Sequence, residues 1–166
     1  PISTISYYLH SQLMNAMSMQ GFKVSFSGTG ADEIFTGYYD HHNLYLAALG
    51  ESHPNFLDSL NNWYKYISPL VRNPSLQDPF LYLKDPSYRK HVYANSDIFS
   101  SYLLDNWHED FSEDFYCSDL LRNRMLNEMF SEVVPVILHE DDLNAMTYSM
   151  ENRSPFLDRE LFEFVY

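Results

Sequence analysis

Apolar residues recur at helical spacing over most of the chain, which predicts a largely helical protein. From Ile2 to Met19, the residues Ile5, Tyr8, Leu9, Leu13, Met14 and Met17 share that spacing, and Gly21 supplies the stop expected just past a helix end. Phe22 to Phe26 breaks the rhythm. It is short, apolar and β-branched at Val24, which predicts a strand buried on both faces. Helical patterns resume from Ile34 to Leu49, ending near Gly50, and from Asn55 to Val71, with Phe56, Leu60, Trp63, Tyr64 and Ile67 on one face. Pro69, Pro74, Pro79 and Pro86 predict a loop-rich middle. A further helix is expected from Asp97 to Trp107, capped by Ser96 or Asp97. Leu121, Met125, Met129, Val133 and Ile137 then form the clearest amphipathic stripe, which Pro135 should kink or end early.

Helix, strand, glycine turn and helix in succession is the rhythm of an α/β fold with a parallel sheet. Only one strand, near 22–26, emerges from the pattern. A strand cannot satisfy its own hydrogen-bond ladder, so either its partners lie outside this chain, which is the expectation, or the pattern misplaces the strands. The ends point the same way: Pro1 already lies in helical sequence, and the apolar pattern Leu161-Phe162-Phe164-Val165 runs to Tyr166 without a stop signal. The chain is therefore expected to be a piece of something larger.

At 166 residues the length suits one domain with a real core. The net charge of -13 argues against nucleic acid as a partner, because phosphate backbones attract Lys and Arg. It also implies that a bound nucleotide would need cationic help such as Mg²⁺. Cys117 is the single cysteine, which excludes an internal disulfide and fits a reducing compartment. Apolar runs such as Val136-Ile137-Leu138 are far shorter than the ~20 residues of a membrane span, and no signal peptide is visible. A cytoplasmic protein with no membrane partner is expected.

Two blocks carry the chemistry. Ser27-Gly28-Thr29-Gly30 closes the predicted strand, and Ala31-Asp32-Glu33 opens the next helix. Such a junction directs several backbone N–H groups to one point, an arrangement that holds phosphate oxygens. Gly28 and Gly30 suit positive φ and close approach of a ligand. Asp32 and Glu33 would repel a phosphate unless Mg²⁺ sat between them, so the block suggests a metal–pyrophosphate site. The second block runs from Asp141 through Met146 to Asp158. It predicts a short helix, a Glu151-x-Arg153-x-Pro155 turn held by a Glu151–Arg153 pair, and Asp158 as N-cap of a final helix.

Read together, the blocks resemble the synthetase domain of the asparagine synthetases, the glutamine-dependent amidotransferases. The family pattern Ser-Gly-x-Gly-x-Asp-Glu-x-Phe-x-Gly-Tyr is matched from Ser27 to Tyr38, and Met-x-x-x-x-Glu-x-Arg-x-Pro-Phe-Leu-Asp from Met146 to Asp158. The resemblance implies an α/β fold of the adenine-nucleotide α-hydrolase type. It also implies a ligase reaction: a carboxylate, normally that of aspartate, attacks the α-phosphate of Mg-ATP, and ammonia displaces AMP from the acyl-adenylate. Ser27, Gly28, Thr29, Gly30, Asp32 and Glu33 would lie at the ATP and pyrophosphate, with Asp32 and Glu33 near Mg²⁺. Glu151, Arg153 and Asp158 would hold the loop. No catalytic residue is assigned.

The family's Ser-Gly-Gly-x-Asp-Ser loop occurs nowhere in the chain and is expected upstream of Pro1; the glutaminase domain that supplies ammonia is likewise not in this chain. The isolated chain is accordingly expected to be inactive. Cys117 is interior to an acidic stretch and does not serve as a glutaminase nucleophile; it reads as a packing residue. Thr29 stands where some members carry an acidic residue proposed to handle ammonia's proton. The basic residue that many members place near Leu143 is replaced here by an apolar one; His139 and Arg124 are the nearby cations that would substitute for it. These departures suit amidation of a different carboxylate, such as one on a sugar. They also suit a competing reading, a mostly helical binding or regulatory domain that kept the fold and lost the chemistry. Asp40-His41-His42 reads as an exposed helix end, His108-Glu109-Asp110 as a solvated acidic stretch, and Trp63 and Trp107 as packing anchors.

Overall fold

The computed structural model describes residues 5–92, 101–104 and 112–166. In chain order the first elements are α1 (Ile5–Met19), β1 (Val24–Phe26), α2 (Ala31–Phe35), α3 (Tyr39–Leu49), α4 (Phe56–Asn62) and α5 (Leu81–Lys84). They are followed by α6 (Leu120–Asn127), α7 (Val134–Thr147), β2 (Glu151–Arg153) and α8 (Arg159–Val165). The chain divides into two compact units, Pro1–Gly37 with Met125–Tyr166, and Tyr38–Arg124. The described residues are mostly helical with one two-stranded parallel sheet, as an α/β chain requires.

The sheet corrects three expectations, the first being that the partners of β1 lie outside the chain. β1 pairs with β2 of the same chain, parallel, with Val24 opposite Glu151, Ser25 opposite Asn152 and Phe26 opposite Arg153. The Glu-x-Arg segment predicted as a turn is thus a strand. Backbone groups make the ladder, so a short polar strand leaves no apolar signature. Nor is β1 buried on both faces: Ser25 is buried, whereas Phe26 is 71% exposed. Of the apolar stripe on α1, Met14 packs with Ala145 and Met150, while Ile5, Leu9 and Leu13 are exposed.

The helix expected from Ile34 to Leu49 is two helices. α2 ends where Thr36 turns left-handed at φ 58, and the Gly37 N–H returns to the Asp32 carbonyl at 2.9 Å. The stripe from Leu121 to Ile137 is also divided. α6 passes into a wider π-helical turn over Glu128–Glu132, and Pro135 sits in the first turn of α7, where its missing N–H has no cost. Met129 joins Ile34 and Val134 in a core that Phe156, Leu157, Leu161 and Phe162 complete. Asp158 caps α8 as expected, accepting from the Leu161 N–H at 3.0 Å. Asp158→Ala is expected to cost about 1 kcal/mol, read as a lowered urea midpoint.

In the second unit Leu46, Phe56 and Trp63 form the core, with Leu60 and Ile67 against it; Tyr64 is exposed instead. Trp63 is the packing anchor expected, and its indole N–H donates to Asn43 Oδ1 at 2.7 Å. Asp40-His41-His42 is not an exposed helix end. It opens α3 with Asp40 and His41 buried, and Asp40 Oδ2 lies 3.1 Å from His91 Nε2. Burial pushes the Asp40 carboxyl up, but the His91 hydrogen bond and the His41, His91 and Arg124 charges together hold it below its ordinary value. Most of the helix expected at 97–107, together with Trp107 and His108-Glu109-Asp110, lies outside the described residues. Among the described residues, no helix is long and apolar enough to cross a membrane.

Candidate functional site

β1 and β2 run parallel, so their carboxyl ends lie side by side, the edge at which open α/β sheets take ligands. Ser27 follows β1 and Ser154 follows β2. The Ser27 N–H donates to the Arg153 carbonyl at 2.8 Å, extending the ladder one residue, and the two seryl oxygens lie 3.0 Å apart. Ser27 also donates to Thr29 Oγ1 at 3.0 Å, which draws the glycine turn back over the strand ends.

Side-chain alternation along the strands sorts the remaining residues. Ser25 and Asn152 are cross-strand partners on the inward face, and Ser25 Oγ donates to Asn152 Oδ1 at 2.8 Å. Asn152 Nδ2 then reaches Ser27 Oγ and Asp141 Oδ2, each at 3.4 Å. Glu151 and Arg153, two apart, share the opposite face and pair at 2.7 Å in solvent. The Arg153 hydrogen bond and charge hold Glu151 below its ordinary value. That is the loop pair expected from the sequence, placed on a strand.

Asp141 is the centre of the cluster. Its side chain is 6% exposed. One carboxylate oxygen faces Thr29 Oγ1 at 3.5 Å, and the other faces His10 Nδ1 of α1 at 3.3 Å. Nearby Tyr7 has its hydroxyl pKa pushed up by burial and by the Asp141 and Glu140 charges, so the field here is negative.

Of the predicted phosphate-turn residues, Gly30 is left-handed at φ 93, as expected. A Cβ there would collide with the Leu157 side chain. Gly28 corrects the expectation: it is not left-handed, and a Cβ on it would meet no atom within 4 Å. α2 has no side-chain cap, and the Ala31 N–H of its first turn donates to the Gly28 carbonyl at 3.1 Å. Asp32 is exposed and packs against Gly37, while Glu33 is buried. Among the described residues, neither belongs to a cluster of three His, Cys, Asp or Glu side chains with ligand atoms within 4.8 Å of one another. Leu143 and His139 are exposed on α7. Arg124 belongs to the second unit, where Glu113 accepts from it at 3.0 Å.

Sequence reasoning missed His10, Asp141, Asn152 and Ser154. Ser154 and Asn152 mirror Ser27 and Ser25 across the sheet, a repeat that the sequence shows only once Glu151–Arg153 is known to be a strand. His10 carried no signal, because its partner lies 131 residues away.

No curated protein and no solved structure matches the chain. The family described as asparagine synthase matches residues 2–166, nearly the whole length. With the glycine turn at the strand ends and the capped Pro155–Asp158 segment beside it, the chain belongs to the asparagine synthase family.

Proposed function

We propose that the chain contributes to an ATP-dependent, AMP-forming amidotransferase with an adenine-nucleotide α-hydrolase-type fold, working in the cytoplasm with ammonia from a glutaminase domain. The observation that carries this reading is the Ser27–Gly30 turn at the carboxyl ends of two parallel strands, in a chain of this family. In this reading the backbone of Gly28–Gly30 and the hydroxyls of Ser27 and Thr29 receive phosphate oxygens. A carboxylate oxygen of the acceptor bonds to the α-phosphorus and pyrophosphate leaves. Ammonia then bonds to the acyl carbon, loses a proton, and AMP departs with the bonding electrons.

The first unit carries three Lys or Arg side chains against eleven carboxylates, and Arg153 and Arg159 are paired with Glu151 and Glu163. Such a unit receives a polyphosphate only with a cation. The donors at hand are hard oxygens, which suit Mg²⁺ held by one or two carboxylates and the phosphates themselves. Asp32 and Glu33 are the carboxylates we assign beside it. When bound, Mg²⁺ supplies the charge that neutralises the departing pyrophosphate.

The test is ATP–pyrophosphate exchange by the protein as the cell makes it, with aspartate first and then a panel of amino-acid and sugar carboxylates. Exchange that requires one of them is the expected result. The exposed, uncharged Leu143 favours the second reading, a binding domain without chemistry. ATP binding with no exchange toward any carboxylate would support that reading over ours.

A further inference from the structure

The Asp141 carboxylate is nearly buried; one oxygen accepts from Thr29 and Asn152, and the other faces the His10 imidazole. Ser25, Ser27, Thr29, Asn152 and Ser154 form one hydrogen-bonded set at the strand ends, and none of them accepts a proton readily at neutral pH. His10 does. Its side chain is half exposed, so one edge reaches solvent or a ligand while Nδ1 faces Asp141.

A carboxylate facing Nδ1 holds the proton on that nitrogen and leaves Nε2 as the acceptor, the logic by which carboxylates orient catalytic imidazoles. From the geometry we infer that His10 is the general base of amide formation and that Asp141 is its positioning residue. The inference rests on the acyl-adenylate reading above. As the amine nitrogen bonds to the acyl carbon, His10 Nε2 takes the proton that nitrogen must shed; the carbon–oxygen bond to AMP then breaks and AMP leaves with the electron pair. Thr29, 3.5 Å from Asp141, needs no acidic side chain in such a site, since the proton goes to His10, on the other oxygen of the same carboxylate. Among the described residues, Asp141 of α7 faces His10 Nδ1 at 3.3 Å and the Tyr7 ring of α1 lies 6.0 Å away edge-on, while the Glu140 charge acts on Tyr7.

The two half-reactions separate this inference from its foundation. ATP–pyrophosphate exchange involves no amine, so His10→Gln, which keeps a donor toward Asp141, is expected to exchange within about threefold of the parent protein. Amide formation from ammonium chloride is expected to fall by about 10²–10³-fold. Amide formation within threefold of the parent, with exchange intact, overturns the role of His10. If the parent exchanges with no carboxylate, the acyl-adenylate reading falls first and takes this inference with it. A readout independent of turnover is the imidazole ¹⁵N spectrum. The Nδ1–H tautomer is expected in the parent and its loss in Asp141→Asn; a dominant Nε2–H tautomer in the parent overturns the positioning role.

Discussion

Gly30→Ala is expected to destabilise the first unit by about 2–4 kcal/mol, whereas Gly28→Ala stays within about 0.5 kcal/mol of the parent. The two residues flank Thr29 in one turn, yet they are held for different reasons. Gly30 is left-handed at φ 93, a conformation that costs an L-residue about 1–2 kcal/mol. Its added Cβ would also strike Leu157, which already packs against Ile34, Met129 and Val134, so the side chain has to leave a filled core. Overpacking of that kind adds about 1–3 kcal/mol. Gly28 carries neither penalty, because its φ is ordinary and its Cβ direction is open. Urea unfolding followed by circular dichroism reads the difference directly. Equal midpoints for the two variants would contradict the turn geometry. A Gly28→Ala protein that folds normally but loses ATP affinity would locate the ligand at the open side of the turn, as the proposed function requires.

The difference between these glycines also shows what the sequence could and could not disclose. A glycine turn after an apolar strand is legible because both signals are local, and so are the Gly21 stop and the Asp158 cap. The conformation of each glycine is not local. Gly30 is pinned by a leucine more than a hundred residues on. β2 was hidden for a related reason: Glu151-Asn152-Arg153 has no apolar alternation, and only its ladder with Val24–Phe26 makes it a strand. Once that register is known, the inward pair Ser25–Asn152 follows from alternation alone, and Asp141 and His10 follow from Asn152 and Thr29. The break after Phe35 escaped notice because Thr36 is left-handed against its intrinsic preference, a state that tertiary context selects. Asp40 and His41 were misread because charged residues at a helix start are usually solvated, whereas here His91 and Arg124 are ion partners of Asp40.

Glu113→Ala is expected to destabilise the second unit by about 3–5 kcal/mol. Glu113 accepts from Arg89 through both oxygens, at 2.5 and 2.7 Å, and from Arg124 at 3.0 Å. The two arginine side chains are only 9% and 3% exposed, so removing the carboxylate leaves two nearly buried guanidinium groups with less counter-charge. Asp40 is a further carboxylate on Arg124, at 3.7 Å, and it is shared with His91. The same cluster makes this unit acid-sensitive. Burial pushes the Glu113 carboxyl up, but the hydrogen bonds and charges of Arg89 and Arg124 bring it below the ordinary 4.5. A folded-state value below the unfolded one means stability that is fully present above about pH 4.5 and is lost as pH falls through the lower folded value. Glu113→Gln, which cannot ionise, is expected to be less stable at pH 7 and to show a shallower loss between pH 4.5 and the acid limit. Parallel pH dependences for parent and Gln variant would show that the guanidinium groups do not depend on this charge. The cluster bears on chemistry as well. Arg124, one of the two cations that could stand in for a basic residue at Leu143, is already neutralised by Glu113 and Asp40, so Glu113→Gln should leave ATP–pyrophosphate exchange limited by folding alone.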